Sequence, residues 1–349
     1  MSLLPNAISL AYLTRPMKPC HHIRWQVVRL VGCCLVSSSP VGAQPIAGDG
    51  TLSTTVTSPD GLNFTITEGE RAGSNLFHSF SQFSLPTGGS AFFNNALAVE
   101  NIIARVTGRS VSNIDGLIRS NGTANLFLLN PNGIIFGPNA QLNVGGSFLA
   151  SSASAVKLAD GTEFSATTPS PQPLLTIAVP IGLQYGLQAA PIQVQGSTLV
   201  LQPGRTLALS GGVLSVESAQ LRAENGRVEL GAVAGAGSVG LTVADNQIQL
   251  SFPDGIAQAD VSLTNGTVVS TSGRGGGDIH LTGRRVILQD ARVESTTLGE
   301  GAGGNLTVNA TESVELMGNE AGGQFSSGLF ADTSTHGRKF TYPSYRVNT

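Results

Sequence analysis

The chain has 349 residues, of which 40% are hydrophobic, 12% are charged and 44 are glycine, and its formal net charge is −3. This composition is too apolar for a disordered chain and too rich in turn formers for long helices, so it predicts a fold built mostly from β-strands. The lack of excess positive charge argues against nucleic-acid binding, which needs clustered Lys and Arg to neutralise phosphates.

The first 43 residues have the pattern of an export signal. A positively charged region is followed by a short apolar run over residues 30–36 and by the small residues Val41, Gly42 and Ala43. This order is typical of a signal peptide. The positive charges are Lys18, Arg24 and Arg29. We therefore predict a signal peptide over residues 1–43 that is cleaved after Ala43.

Two alternatives concern the processing of this segment. The residues before Met17 do not follow the signal pattern, so Met17 is an alternative start. Residues 30–33 also resemble a lipoprotein processing box that ends at Cys33. Arg29 leaves almost no apolar stretch ahead of that cysteine, so cleavage without lipidation is the favoured prediction.

The exported chain would contain no cysteine. Cys20, Cys33 and Cys34 are the three cysteines of the sequence, and all lie within the predicted signal. Disulfides, thiolate catalysis and Cys-ligated metal sites are thereby excluded from the exported chain. No run reaches the roughly 18 apolar residues of a membrane-spanning helix. The sequence therefore predicts no transmembrane segment after the signal.

The clearest local pattern lies around residues 130–134, whose sequence is Asn130-Pro131-Asn132-Gly133-Ile134. An Asn at the first corner, a Pro that presets φ at the second, then a small polar residue and a Gly are typical of a tight turn. The flanking apolar runs, Leu126–Leu129 and Ile134–Phe136, are too short for helices and suit buried strands. We predict one coil of a parallel β-solenoid here.

The region after this coil continues with strands and Gly-rich corners. Residues 167–173 are rich in Pro, Thr and Ser, which is compatible with either a linker or a loop; a loop is favoured because strand-like sequence resumes directly afterwards. The sequence VVSTS from Val268 recurs as VESTT from Val293, and both copies continue through Gly-rich stretches to a short apolar run. A period in the twenties is typical of solenoids.

A third copy opens at Ala331 but is interrupted at His336. Terminal repeats of a solenoid usually carry a cap, and a cap normally follows a completed coil. Residues 336–349 are therefore predicted to be an irregular tail, with truncation of a longer protein favoured over a true cap.

Several ordered motifs lie between residues 75 and 134. They are the segment 75–86 with Phe77, Phe80, Phe83 and Pro86, the pair Asn94 and Asn95, the segment Arg105–Gly108, the segment 112–116 with Asp115 and Gly116, and the turn Asn130–Ile134. This series resembles the haemagglutination-activity domain of filamentous-haemagglutinin-like exoproteins. The similarity covers residues 44–165, and residues 166–335 look like the β-helical extension of such proteins.

The resemblance implies an all-β fold, namely a right-handed parallel β-helix with an N-terminal cap. It also implies an adhesin-like exoprotein, secreted or held at the cell surface, that passes through the periplasm and crosses the outer membrane through a β-barrel transporter of the two-partner secretion type. Residues 44–165 would be the secretion module. A cell-surface or carbohydrate ligand is compatible with this family, and no cofactor is implied.

The singled-out residues have structural interpretations as well. Asn130–Gly133 can act as a corner turn that fixes the coil, as a contact with the transporter, or as both. Phe77, Phe80 and Phe83 are interpreted as covering the open strand edges of the first coil.

A polysaccharide-acting β-helix enzyme is the alternative function. Such an enzyme needs carboxylates that converge on one face of the solenoid. The Asp residues of this chain show no shared spacing, and the sequence has no hydrolase elbow, phosphate loop or zinc-protease motif. We therefore predict no catalytic, cofactor-binding or metal-binding residues.

Overall fold

The computed structural model describes residues 45–169, 175–318, 327–335, 338–340 and 345–348. These residues form strands, turns and bends, and none of them is helical. The predicted signal peptide, with its three cysteines, lies outside the described residues. No helix in the described part of the chain is long and apolar enough to cross a membrane.

The chain winds into a parallel β-helix whose strands stack on three faces. The first face contains β5 (Asn75–Phe83), β7 (Asn101–Val106), β10 (Asn125–Leu129), β13 (Phe148–Ser151), β19 (Thr206–Gly211), β22 (Arg227–Ala232) and the first parts of β27 (Asp278–Gln289) and β29 (Leu306–Met317). The second face contains β8 (Ser112–Ile114), β11 (Ile134–Phe136), β17 (Ile192–Gln195), β20 (Leu214–Glu217), β25 (Val261–Thr264) and the later parts of β27 and β29. This arrangement confirms the predicted solenoid.

The third face closes each coil. It contains β3 (Asn63–Thr67), β6 (Ser90–Phe93), β9 (Leu117–Ser120), β12 (Gln141–Asn143), β18 (Thr198–Val200), β21 (Gln220–Arg222), β26 (Val268–Ser270), β28 (Arg292–Glu294) and β30 (Gly328–Phe330). We number the coils by their strand on the first face, so that β5 belongs to the first coil, β7 to the second, β10 to the third, β13 to the fourth, β19 to the fifth, β22 to the sixth, β27 to the seventh and β29 to the eighth.

Alternation of side chains along the strands builds the core of the helix. On the first face, Leu76, Ile102, Leu126, Phe148 and Leu207 point inward in successive coils, and their backbones pair in register. Alternate side chains of a β-strand point to the same side. Each new coil therefore adds an inward apolar side chain on top of the one before it, and together these side chains form a continuous stack. The interior of the helix is therefore held together by stacked aliphatic and Phe side chains, without disulfides.

Antiparallel strands cap the first coil. β1 (Ile46–Gly48) and β4 (Glu70–Ala72) both pair with β5, and β2 (Thr55–Thr57) pairs with β3. These pairings satisfy backbone groups that an open coil would leave exposed, and an exposed edge of this kind invites aggregation. The predicted N-terminal cap is thus present.

A second, antiparallel sheet covers part of the first face, and we call it the outer sheet. Its strands are β15 (Glu163–Ser165), β14 (Ala155–Leu158), β16 (Pro180–Tyr185), β23 (Gly237–Ala244) and β24 (Gln247–Ser251), in that spatial order. They arise from two insertions between the first and second faces, one in the fourth coil and one in the sixth. The outward side chains of the first face pack against them in a second apolar cluster.

The C-terminal residues add short strands. β31 (Thr333–Thr335) pairs antiparallel with β32 (Arg338–Phe340), and β33 (Tyr345–Asn348) pairs parallel with β29. Residues 336–337, 341–344 and 349 of the predicted irregular tail lie outside the described residues.

Candidate functional site

The turn Asn130–Gly133 joins the first and second faces in the third coil. The Gly133 N–H donates to the Asn130 carbonyl (3.0 Å), which closes the four-residue turn. The Asn130 side-chain oxygen accepts from the backbone N–H and from the Nδ2 of Asn132, both at 2.9 Å. Gly133 has a φ of 104°, a conformation that side chains disfavour. Ile134 is buried and begins β11.

This turn is bonded to the corner of the second coil. The buried Asn130 donates from Nδ2 to the Ser110 carbonyl and to the Ser112 hydroxyl, both at 2.9 Å. Asn132 donates from Nδ2 to the Gly108 carbonyl (2.7 Å). The side-chain amides of Asn130 and Asn132 therefore link the third coil to the second.

The fourth coil packs on the other side of the turn. A Cβ atom on Gly133 would lie 2.8 Å from the Pro191 carbonyl oxygen, so the backbone approach leaves no room for a side chain. Pro131 and Asn132 are half-buried, whereas Asn130, Gly133 and Ile134 are buried. In the folded protein, only the outer parts of Pro131 and Asn132 are available to a partner.

Asp115 and Gly116 occupy the corner between the second and third faces of the second coil. The Asp115 carboxylate accepts from the Thr87 hydroxyl of the first coil and from the Asn139 N–H (2.8 Å) of the third. Desolvation raises the pKa of Asp115, but these hydrogen bonds outweigh it and hold the pKa below its usual value. A Cβ on Gly116 would lie 2.3 Å from the Gly89 carbonyl oxygen, so stacking requires Gly there.

Asn94 and Asn95 occupy the third corner, where the first coil leads into the second. The Asn95 side-chain oxygen accepts from the Asn121 N–H (2.9 Å), and Asn95 Nδ2 donates to the Asn121 carbonyl (3.2 Å). Asn121 Nδ2 in turn donates to the Asn94 side-chain oxygen (2.9 Å). The predicted polar residues thus lie at three different corners and link successive coils, instead of converging on one point.

The three predicted Phe residues all lie in β5 but face two directions. Phe80 and Phe83 point inward and pack against each other and against Phe93. Phe77 points outward and meets Phe164 of the outer sheet edge-on, with 5.0 Å between ring centroids. The strand edge of the first coil is covered by β1 and β4, not by these rings.

Pro86 lies just after these rings, at the corner before the third face. Its carbonyl accepts from the Gly89 N–H (2.9 Å), which turns the chain toward β6.

Arg105 is a buried side chain with several partners in the N-terminal region, and sequence reasoning had included it only as the first residue of the segment Arg105–Gly108, without assigning it a role. It is 0% exposed. Its guanidinium donates to the Ser79 hydroxyl (2.8 Å), the Thr51 hydroxyl (3.0 Å) and the Ser165 carbonyl (2.6 Å). The guanidinium carbon also lies 4.2 Å from the centroid of the Phe164 ring. One side chain therefore joins the cap, the first two coils and the outer sheet.

The charge of Arg105 is balanced by a nearby carboxylate. Burial lowers the pKa of Arg105 to about 10, and the charge of Asp49 partly opposes this shift. Arg105 therefore remains protonated at neutral pH. Asp49 itself accepts hydrogen bonds from the hydroxyls of Ser79 (2.6 Å) and Thr107 (2.7 Å).

A ladder of buried Asn side chains runs along the starts of the first-face strands, on the outside of that face. Asn101 Nδ2 donates to the Asn75 side-chain oxygen (3.0 Å), and Asn125 Nδ2 donates to that of Asn101 (3.1 Å). Asn75 Nδ2 donates to the carbonyls of Thr176 (3.1 Å) and Ala178 (2.8 Å). The segment before β16 is thereby fastened to the first coil.

His78 is buried inside the first coil and is neutral at physiological pH. Its ring lies 5.6 Å from Phe93 and 6.0 Å from Phe80, and burial lowers its pKa to about 4. The Thr54 hydroxyl lies 3.3 Å from its Nδ1. A protonated imidazole is therefore disfavoured at this position.

We expect this histidine to make the fold sensitive to mild acid. An unfolded His titrates near pH 6.5, so as the pH falls from about 6.5 to 4 the unfolded chain gains a proton that the folded chain does not. The free energy of unfolding should keep its full value above about pH 6.5 and fall by roughly 3 kcal/mol as the pH drops to about 4. Urea unfolding at pH 7.0 and 4.5 measures the loss.

The variant His78→Phe should remove most of this difference. An equal loss in the wild type and in His78→Phe would contradict the assignment.

The described residues contain no cluster of three or more His, Cys, Asp or Glu side chains suited to a metal ion. The predicted residues of the first coils form turns and interior contacts and present no paired acid and base.

Comparison with known proteins gives one family model and several similar solved structures. The family model described as the TPS secretion domain matches residues 44–281. Among solved structures, the chain is similar to the filamentous hemagglutinin secretion domain, with 15% identity, a TM-score of 0.41, and coverage of 83% of this chain and 100% of that chain. It is also similar to the HMW1 secretion domain from Haemophilus influenzae, with 14% identity, a TM-score of 0.46, and coverage of 87% and 82%. No curated protein matches the sequence.

Proposed function

The chain belongs to the family of TPS secretion domains and is thus an exoprotein of the two-partner secretion type, and we propose that residues 44–165 are the part that its outer-membrane β-barrel transporter recognises. The observation that supports this proposal is the family match, which covers residues 44–281 and begins directly after the proposed signal cleavage site, whereas the limit at residue 165 rests on the motifs between residues 75 and 134. The enzyme alternative is not favoured.

The chemistry of the chain suits export in an unfolded state. Residues 44–349 contain no cysteine, so no disulfide can lock the chain before it crosses the membrane. The parallel strands pair with residues more than twenty positions away, for example Asn75 with Asn101. Such non-local pairing forms slowly because loop closure must precede the contacts. The chain would remain threadable until it reaches the outside.

The contacts also suggest how the chain folds after export. The cap closes one end of the helix, so each later coil can add only to the edge that its predecessor leaves open. Arg105 and Asn75 in the first two coils find partners in Ser165, Thr176 and Ala178. Residues 44–165 would therefore reach their final packing only with part of the proposed extension, residues 166–335, which begins within the outer sheet.

Export would begin with a signal peptide, residues 1–43, and end in the medium or at the cell surface. An adhesin-like role with a cell-surface or carbohydrate ligand would then fall to the exposed faces of the helix. This part of the proposal rests on the family resemblance alone.

Export can be tested by expressing the full chain in a Gram-negative host with and without a transporter of the two-partner type. We expect the chain in the medium only when the transporter is present, beginning at Gln44 and without lipid. N-terminal sequencing and intact mass of the secreted chain provide the measurement. Equal amounts in the medium without the transporter would contradict transporter-dependent export, and acylation at Cys33 would contradict the proposed cleavage.

A further inference from the structure

A cleft of about 620 Å³ lies on the first face beyond the outer sheet. Its floor is the outward surface of the sixth, seventh and eighth coils, with Glu229, His280, Thr282 and Asn309. Residues 249–252, in and just after β24, form one wall, and Asp254 and Gln258 close the end. The cleft lies outside residues 44–165, which we propose the transporter recognises, although its lining up to His280 falls within residues 44–281, the part that the family model matches.

The backbone edge of β24 faces this cleft. The Ile248 N–H donates to the Thr206 hydroxyl (2.9 Å), so this edge of β24 points away from its partner β23. Backbone groups of a strand alternate between its two edges, and β24 pairs with β23 without a bulge. The N–H and C=O of Leu250 therefore point to the same side as those of Ile248, along the cleft wall.

Thr206 covers this edge at Ile248, but the part at Leu250, which lines the cleft, lacks the usual protection against pairing. Natural edge strands carry Lys, Pro or a bulge, or they are covered by another element. The sequence of β24, Gln247 to Ser251, contains neither Lys nor Pro, and its pairing is regular. The edge is thus competent to accept one more strand.

The shape of the cleft decides which strand fits. In a second copy of this chain, the same edge of β24 rests on its own first face through Thr206 and through the contact of the Asn246 carbonyl with the Ser147 hydroxyl. These contacts hold the edge of β24 against its own first face, so it cannot reach into the cleft of another copy, and only a segment that enters the cleft can reach the backbone of Leu250. A single extended segment, with no sheet behind it, fits instead.

The charge of the cleft selects the side chains of that segment. Glu229 and Asp254 line the cleft, and the described residues that line it include no Lys or Arg. Glu229 is already paired with Arg227 (3.1 Å) and with His280 (3.3 Å), whereas Asp254 is exposed. A positive side chain on the segment would compensate the negative charge of Asp254.

We propose that the cleft beside β24 binds an extended peptide segment that carries Lys or Arg, and that this segment adds a sixth strand to the outer sheet. The backbone of the segment pairs with Leu250, its alternate side chains rest on Thr282 and Asn309, and its basic residue approaches Asp254. This activity belongs to the folded, exported protein and is independent of the transporter.

The test uses the purified full chain after export and a fluorescein-labelled peptide of sequence Thr-Lys-Val-Lys-Val-Thr, followed by fluorescence anisotropy. We expect saturable binding that is at least about ten-fold tighter than that of the same peptide with alternate backbone nitrogens methylated, because methylation removes the donors that pair with β24. Replacing both Lys by Glu should weaken binding similarly at low salt.

Matched variants place the binding on the structure. Thr311→Trp adds a large ring to the cleft lining and should abolish binding, whereas Thr198→Trp alters an exposed strand residue on the third face and should leave it unchanged. Asp254→Lys should weaken binding several-fold, and high salt should reduce that difference. Equal binding of the methylated peptide, or equal binding by Thr311→Trp, would overturn the proposal. So would a neutral dextran oligosaccharide that binds in a Thr311→Trp-sensitive manner while the peptide does not.

Discussion

Replacing Arg105 by methionine is expected to lower the free energy of unfolding by about 3–5 kcal/mol. The methionine fills part of the volume but makes none of the three hydrogen bonds to Ser79, Thr51 and Ser165. It also removes the positive charge near the half-buried Asp49 carboxylate. Losing the charged donor of several hydrogen bonds in the interior is costly because the acceptors are left without this partner. Urea unfolding of the purified chain at pH 7 measures the effect.

The chain offers a matched control in Arg119. Its guanidinium carbon also lies over a Phe ring, 4.1 Å from the centroid of Phe92, but Arg119 is exposed. Arg119→Met should cost no more than about 1 kcal/mol. Hydrogen exchange should then show faster exchange at Thr51 and Ser165 in Arg105→Met only. Equal destabilisation by the two substitutions would show that the buried contacts of Arg105 contribute little.

The coils of the helix could be predicted because their signal is local. The turn Asn130–Gly133 combines a Pro and a Gly at fixed positions between two short apolar runs, and those features specify a corner whatever lies elsewhere in the chain. The recurring sequences of residues 268–308 do correspond to stacked strands. Local sequence thus decided the class of fold.

The register of those repeats could not be predicted from similarity alone. The sequence similarity aligns Val268 with Val293, whereas the structure pairs Val269 with Val293. Val269 and Val293 both point into the core and are fully buried, while Val268 is half-buried. A shift of one residue reverses every side chain of a strand, so burial determines the register more strongly than identity.

The outer sheet could not be predicted because its strands look like those of the helix. Ile181 to Tyr185 reads as strand-like sequence in either place, and β16 pairs antiparallel with β14 and β23 instead of entering a coil. The choice depends on partners far along the chain. One signal was available: Phe77, Ile103, Phe127 and Leu149 are apolar at the positions of the first face that point outward, which implies a covering layer.

The Asn ladder also left a sequence signal, whereas Arg105 did not. Asn75, Asn101 and Asn125 each begin a strand of the first face, and each precedes two apolar residues. Identical amides at a repeating position are typical of a stacked ladder. A single Arg within a strand is normally interpreted as an exposed residue because charged side chains are seldom fully buried.

Replacing Gly133 by valine is expected to abolish secretion while synthesis continues. A β-branched residue at a φ of 104° is strained, and its Cβ would lie 2.8 Å from the Pro191 carbonyl oxygen. Strain and overpacking each cost roughly 1–3 kcal/mol, so the corner between the first and second faces of the third coil should be lost. Asn132→Lys removes the bonds to Gly108 and Asn130 and should act in the same direction. Immunoblots of medium and periplasm from a strain with the transporter measure export.

A graded series of glycines separates the role of the turn in folding from a direct contact with the transporter. Gly161 has a φ of 86° but open space around its Cβ position, and Gly186 has open space without a positive φ. If the turn acts through folding, export should fall with stability from Gly186→Ala to Gly161→Ala to Gly133→Ala. Pro131→Ala removes an outer part of the turn that makes no side-chain hydrogen bond. If the turn acts through folding, the Pro131→Ala variant should be exported normally. Loss of export by Pro131→Ala at unchanged stability would instead establish recognition of the turn itself, because only a binding partner could sense that change.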